Sequence, residues 1–137
     1  MKQKSQKTTL ETSKMVLLVD DNPKNLSLLS DLLIQNGYNV STTLNGQMAL
    51  KYLEKNIPDL ILLDIRMPEM DGFEFCRRLK GNENTRDIPV IFISALDCIE
   101  EKVTAFNIGG IDYVTKPFQA EEVLARVKTH IMIQDMQ

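Results

Sequence analysis

Apolar and polar residues alternate in blocks along the chain from Met15 onwards. Continuous apolar runs occupy positions 15–19, 60–63 and 90–93. A run of four or five apolar residues is typical of a strand that is buried on both faces, as in a parallel sheet. Two weaker strands are predicted around positions 39–43 and 112–114.

The segments between these runs have the spacing of amphipathic helices. Asn22 and Pro23 suit the cap and first turn of a helix, and Gly37 is a typical stop signal. Three leucines between them recur on one helical face, namely Leu26, Leu29 and Leu33. Further helices are predicted over 46–55, 73–80, 99–108 and 120–133.

Five strands that alternate with five helices predict an α/β domain with helices on both faces of a parallel sheet. The 137 residues suffice for one domain with one core. Residues 1–14 are polar and lysine-rich, and we interpret them as a disordered leader or a linker. The folded domain is predicted over 15–133, and 134–137 as a tail or a continuation of the last helix.

Composition excludes several classes of protein. The net charge of −3 argues against direct binding to nucleic acid. Cys76 and Cys98 lack the spacing of a metal site, so we expect reduced thiols. No apolar run has the length of a membrane span, and the amino terminus lacks the apolar centre of a signal peptide. We therefore expect a cytoplasmic protein that does not enter membranes.

Polar residues follow each of the strongly predicted strands and the fifth strand. They are Asp20 and Asp21 after the first strand, Asp64 after the third, Ser94 at the end of the fourth and Lys116 after the fifth. In open parallel sheets, ligands bind beyond the carboxyl ends of the strands, near the switch in strand order. Any one of these residues on its own is typical of a solvated loop, but their placement at one predicted edge indicates a binding site.

The chemistry of this set favours phosphoryl transfer. Three converging carboxylates repel each other unless a cation compensates, and Mg²⁺ prefers carboxylates, waters and phosphoryl oxygens. A carboxylate can also be the nucleophile in phosphoryl transfer. That reaction needs cationic groups and donors around the transferred oxygens, which Lys116 and Ser94 can supply together with the metal.

Four motifs in this order resemble the receiver domain of two-component response regulators. They are the Asp20-Asp21 pair, the segment LDIRMPEMDG at 63–72, Ser94-Ala95 and the segment DYVTKPF at 112–118. The resemblance covers about residues 14–133. It implies a flavodoxin-like (βα)5 doubly wound parallel sheet with the strand order 2-1-3-4-5, in a single domain.

The resemblance also implies the metal site. Asp64 would be the phosphoacceptor for a histidine kinase or a histidine phosphotransfer protein. Mg²⁺ would bind directly to Asp21, to Asp64 and to the backbone carbonyl of Arg66, and through water to Asp20. We also expect the Arg66 side chain to point towards solvent at the mouth of the site.

The switch is implied in the same way. Ser94 and Lys116 would contact the phosphoryl oxygens, and the peptide bond between Lys116 and Pro117 would be cis. Tyr113 matches the aromatic residue that rotates inward when Ser94 moves towards a phosphorylated Asp64. The face formed by the fourth helix, the fifth strand and the fifth helix would then signal to a downstream protein or mediate self-association.

Alternative functions remain at this point. A phosphatase with an aspartate nucleophile would need a second Asp where the chain has Arg66, so we expect no turnover beyond autophosphorylation from small donors and self-dephosphorylation. An FMN module would need a phosphate-binding loop rich in Ser, Thr and Gly, which the sequence lacks. The chain could instead be a receiver-like interaction module that acts without phosphorylation, or a receiver cut from a larger hybrid kinase or multidomain regulator.

Three further positions have simpler interpretations. Asp71 and Gly72 suit a turn before the third helix. His130 is expected to be an exposed residue of the last helix, because a phosphotransfer histidine would need a four-helix setting.

Overall fold

The computed structural model describes residues 13–137, so most of the predicted leader lies outside the described residues. The five strands are β1 Met15–Val19, β2 Asn39–Thr43, β3 Leu60–Asp64, β4 Val90–Ser94 and β5 Asp112–Thr115. All neighbouring pairs are parallel, and the strand order is 2-1-3-4-5. The predicted fold class is confirmed.

Five helices alternate with the strands. They are α1 Pro23–Gln35, α2 Gly46–Leu53, α3 Gly72–Lys80, α4 Ile99–Asn107 and α5 Ala120–Asp135. No helix of the described chain has the length and apolar character that a membrane crossing requires.

The ends of α1 show why its bounds could be predicted. The Asn22 side chain accepts a hydrogen bond from the Lys24 amide at 2.9 Å, which caps the first turn. At the other end Gly37 has a φ of 93°, and the Tyr38 amide bonds to the Leu33 carbonyl at 3.1 Å. This is a Schellman motif, which favours glycine because a side chain would strain the left-handed conformation.

The sheet separates two apolar cores. Every residue of β3 and β4 is buried, and alternate side chains enter opposite cores. Ile61 and Leu63 pack on the side of α2, α3 and α4, together with Phe75. Leu60 and Leu62 pack on the side of α1 and α5. These two buried strands form a rigid base for the residues at their carboxyl ends.

The core-facing stripe of α5 is narrow. Val123, Val127 and Ile131 are buried, whereas Leu124 is half-buried and Ala120 is exposed at the first position of the helix. Three apolar residues near the end of the helix are exposed: Met132, Ile133 and Met136.

Candidate functional site

Two adjacent strands bring the predicted carboxylates together. Asp20 follows β1 and Asp64 ends β3, and these strands pair in register from Val16 opposite Leu60. One carboxylate oxygen from each of Asp20, Asp21 and Asp64 lies within 4.8 Å of the others. Asp20 and Asp64 are 3% and 4% exposed, whereas Asp21 is exposed to solvent.

The turn between β1 and α1 holds Asp20 in position. Its Oδ1 atom accepts a hydrogen bond from the Asn22 amide at 2.9 Å, and its Oδ2 atom accepts one from the Asn25 side chain at 3.3 Å. Asn22 also caps α1. The first helix and the first carboxylate are therefore fixed by the same short turn.

Lys116 directly follows β5, the outermost strand of the sheet, and brings a positive charge to this edge. Its Nζ atom lies 3.2 Å from Asp64 Oδ1 and 3.4 Å from Asp20 Oδ2. The peptide bond between Lys116 and Pro117 is cis, as the sequence motif implied. Burial and the neighbouring Asp20 raise the pKa of Asp64 to about 6, although Lys116 acts in the opposite direction. Three carboxylates and one lysine leave an excess of negative charge at this edge, and this donor set fits a hard divalent cation with water as its remaining ligands.

Gly72 allows a close contact with the backbone of Asp64. A Cβ atom at position 72 would collide with the Asp64 carbonyl oxygen and would lie 2.8 Å from the Ile65 Cα atom. The Gly72 amide also donates to the Ile65 carbonyl at 2.8 Å. The φ angle of Gly72 is not positive, so the backbone conformation of a turn does not explain why this position needs glycine. The close contact with Asp64 explains it instead. Asp71 caps α3 by accepting from the Glu74 amide at 2.9 Å.

Ser94, which ends β4, hydrogen-bonds to α4. The Ser94 Oγ atom lies 2.6 Å from Glu101 Oε1 and accepts from the Leu96 amide at 3.2 Å. The Tyr113 hydroxyl also lies 2.6 Å from Glu101 Oε1, and 2.7 Å from the Leu96 carbonyl. Tyr113 is only 7% exposed, so it already occupies the inward position that we expected it to reach by rotation.

The family model of the response regulator receiver domain matches residues 16–128 of this chain. The chain belongs to that family. Receiver domains are the phosphoacceptors of two-component signalling, which agrees with the acidic edge of the sheet.

Individual relatives support the same assignment. The DNA-binding dual master transcriptional regulator RpaA of Synechocystis is 42% identical over 82% of this chain and 47% of its own length. The response regulator PleD of Caulobacter vibrioides is 42% identical over 85% of this chain and 26% of its own length. The chain therefore spans half or less of these curated relatives.

A solved receiver domain gives the structural comparison. It belongs to a sensor histidine kinase of Pseudomonas aeruginosa and carries a magnesium ion coordinated in its active-site cleft. It is 31% identical to this chain, with a TM-score of 0.80 over 88% of this chain and 98% of its own.

Glu101 is the residue of this receiver site that the sequence analysis missed. Its Oε2 atom accepts a hydrogen bond from Arg66 Nη2 at 3.2 Å, while Oε1 lies next to Ser94 and Tyr113. We call Glu101 and these three partners the Glu101 cluster. Burial opposes ionisation of Glu101, but the hydrogen bonds from its three partners together lower its pKa. The sequence contained one signal for Glu101. This acidic residue lies in the first turn of α4, a few positions after the end of β4.

The Arg66 side chain is exposed to solvent, as expected, but it also makes a contact that was not predicted. Its side chain is 63% exposed, but its guanidinium group contacts the Glu101 carboxylate, which is 9% exposed. The loop that follows Asp64 is therefore linked directly to α4.

The expectation that His130 is an exposed residue is wrong. Its side chain is only 18% exposed, and its Nε2 atom lies 3.0 Å from Asp112 Oδ2. Arg126 also donates to both oxygens of Asp112, at 2.9 and 2.8 Å. These contacts join α5 to β5 at a distance from the acidic edge, and they account for the burial of this histidine.

Proposed function

We propose that this receiver accepts a phosphoryl group on Asp64 and uses it as a signalling switch. The observation that carries the proposal is the position of Asp64. It is buried at the end of a central strand, within 4.8 Å of two further carboxylates and 3.2 Å from an ammonium group. The phosphoryl donor would be a histidine kinase or a histidine phosphotransfer protein.

The proposed reaction is an exchange of one bond to phosphorus for another. An Asp64 carboxylate oxygen attacks the phosphorus atom, and the bond from phosphorus to the donor nitrogen, or to the acetate oxygen of acetyl phosphate, breaks. Later, water attacks the same phosphorus atom and releases inorganic phosphate, which restores the carboxylate. Lys116 would contact the transferred oxygens, and Ser94 would donate a hydrogen bond to them.

Asp21, Asp64 and the backbone carbonyl of Arg66 would hold Mg²⁺ directly, and Asp20 would hold it through water. When bound, the metal would neutralise charge on the carboxylates and on the phosphoryl oxygens. Support comes from the clustered carboxylate oxygens of this chain and from the magnesium ion in the Pseudomonas receiver.

The acceptor can be tested with acetyl phosphate and Mg²⁺, with intact-mass spectrometry as the measurement. We expect one phosphoryl group per chain, and none on Asp64→Asn. Removal of Mg²⁺ with a chelator should slow labelling at least about tenfold, because the carboxylates then repel the incoming phosphoryl group.

Asp71→Asn is the matched control for the acceptor. It removes an acid from the same loop but keeps an oxygen that can cap α3, so labelling should be unchanged. Undiminished labelling of Asp64→Asn would refute the assignment. Labelling that does not respond to the chelator would refute the metal site.

We further propose that partners contact the face formed by α4, β5 and α5. This face carries several exposed apolar side chains: Ile99, Val103, Phe106, Ile111 and Ile133. Exposed apolar groups of this size indicate a contact surface, either for a downstream protein or for a second copy of the chain.

Sedimentation at increasing protein concentration tests self-association through this face. Ile99→Glu should weaken association, whereas Ile34→Glu, which changes an exposed isoleucine on α1, should not. Equal effects of the two substitutions, or a parent chain that stays monomeric throughout, would show that this face does not mediate self-association.

A further inference from the structure

The Ser94 hydroxyl is hydrogen-bonded to the carboxylate of Glu101. Ser94 Oγ lies 2.6 Å from Glu101 Oε1 and already accepts a hydrogen bond from the Leu96 amide. A serine hydroxyl has a single proton, and an ionised carboxylate can only accept. While Ser94 donates to Glu101, it therefore has no proton to donate to a phosphoryl oxygen on Asp64.

We propose that Glu101 is a positioning residue that withholds the Ser94 hydroxyl from the acceptor site until Asp64 is phosphorylated. This inference rests on the proposed function of Asp64. Phosphorylation would then exchange one hydrogen bond of Ser94 for another. The free energy gained from the new hydrogen bond would be reduced by the loss of the old one.

The other contacts of Glu101 explain how it can release Ser94 at low cost. Oε2 keeps its hydrogen bond from Arg66 at 3.2 Å, and Oε1 still faces the Tyr113 hydroxyl at 2.6 Å. A buried charge that lost all its donors would be strongly destabilised, but Glu101 loses one of three. The same contacts keep the carboxylate beside Ser94, where it can accept the hydrogen bond from the hydroxyl again after dephosphorylation.

Tyr113 is also held in position by Glu101. Its hydroxyl is shared between Glu101 and the Leu96 carbonyl, and the Lys102 ammonium lies 5.7 Å from the centre of its ring. Because Glu101 contacts both residues of the predicted switch, the departure of Ser94 changes the charge environment of the Tyr113 hydroxyl. Glu101 thus connects the acceptor site to β5.

Binding of beryllofluoride, an analogue of the phosphoryl group on a carboxylate, tests this inference in the full chain with Mg²⁺ present. Glu101→Ala should bind the analogue about tenfold more tightly than the parent chain, because Ser94 can then donate to it without leaving a charged acceptor. Isothermal titration calorimetry measures the change. In a Ser94→Ala background, Glu101→Ala should change the affinity less than about twofold, since no serine proton remains to be released.

Glu100→Ala is the matched control. Glu100 carries the same charge in the same helical turn and is exposed to solvent, so its removal should change the affinity less than about twofold. If Glu101→Ala loosens α4, Glu101→Gln provides a second variant. It keeps an acceptor without the charge, and should tighten binding by about threefold, again only when Ser94 is present.

Three results would overturn the inference. They are an unchanged affinity in both Glu101 variants, an equal tightening in the Ser94→Ala background, and an equal tightening in Glu100→Ala. The last two would mean that Glu101 acts through its charge alone. Failure of the proposed function looks different, because the parent chain would then bind no beryllofluoride and Asp64→Asn would make no difference.

Discussion

The helices α3 and α4 have the same length and lie on the same face of the sheet, but they are held there differently. In α3, which follows the loop of Asp64, Phe75 and Leu79 are buried in the core. Among the nine residues of α4, all within the described part of the chain, Ala105 is the buried one. Its larger apolar side chains are 74%, 50% and 48% exposed, at Ile99, Val103 and Phe106 respectively.

This difference separates a firmly packed helix, α3, from a loosely packed one, α4. Burial of a large apolar side chain contributes roughly 1.5–3 kcal/mol, so α3 cannot shift without losing several such contributions. The described contacts of α4 with its surroundings are largely polar, and the Glu101 cluster is foremost among them. Polar contacts can be exchanged for others of similar energy, and regions with few buried apolar contacts open most readily. The proposed acceptor, Asp64, thus lies beside the firmly packed helix, whereas α4, which belongs to the proposed signalling face, is the loosely packed one.

The largest expected effect compares one phenylalanine from each helix. Phe75→Ala removes a fully buried ring, so the free energy of unfolding should fall by about 3–5 kcal/mol. Phe106→Ala should lower it by less than about 1 kcal/mol, because the ring is already 48% exposed. Urea denaturation followed by circular dichroism measures both. Similar losses for the two variants would show that α4 is held by its apolar side chains after all.

A smaller effect is expected from the two glycines that begin α2 and α3. Gly72→Ala forces a methyl group against the backbone of Asp64, which should cost about 1–3 kcal/mol and slow phosphoryl labelling. Gly46→Ala meets the sulfur of Met70, a flexible side chain that can move aside, so its cost should be clearly lower. Thermal unfolding and labelling with acetyl phosphate provide the measurements. If the alanine is tolerated equally at both positions, the contact between α3 and Asp64 is not rigid.

The smallest effect concerns the amino-terminal caps of α3 and α4. Asp71 caps α3, whereas Cys98 makes no side-chain hydrogen bond at the start of α4. Asp71→Ala should cost about 1 kcal/mol, and Cys98→Ser should add roughly 0.5 kcal/mol of stability by capping α4. The sign of each change can be read from the urea midpoint. A serine at position 98 that leaves the midpoint unchanged would show that the start of α4 is not limited by its missing cap.

Much of the fold could be predicted because local signals and tertiary structure agree. The runs at 60–63 and 90–93 are buried on both faces, as continuous apolarity suggests. The stop at Gly37 follows from the conformation that only glycine adopts easily. The meeting of Asp20, Asp64 and Lys116 followed from a general property of parallel sheets, whose carboxyl ends share one edge.

The details that could not be predicted depend on the orientation of side chains between elements. Glu100 and Glu101 look alike in the sequence, and only the placement of α4 turns the second towards Ser94. His130 was expected to be exposed because its partner, Asp112, is 18 positions earlier on another element. A local pattern contains no information about such a pair. The same limit applies to Gly72, whose close neighbour is the backbone of β3.

The contacts of Lys116 also have a consequence for synthesis of the chain. This lysine meets Asp20 across 96 positions and Asp64 across 52. At a translation rate of about 5–20 residues per second, the ribosome needs roughly 3–10 seconds to proceed from Asp64 to Lys116, and longer from Asp20. Contacts over such separations also form late in folding, because the intervening chain must first be ordered. During that interval the emerging polypeptide carries its carboxylates without the ammonium group. A nascent chain is therefore not expected to undergo the proposed phosphorylation of Asp64 until β5 has emerged and joined β4.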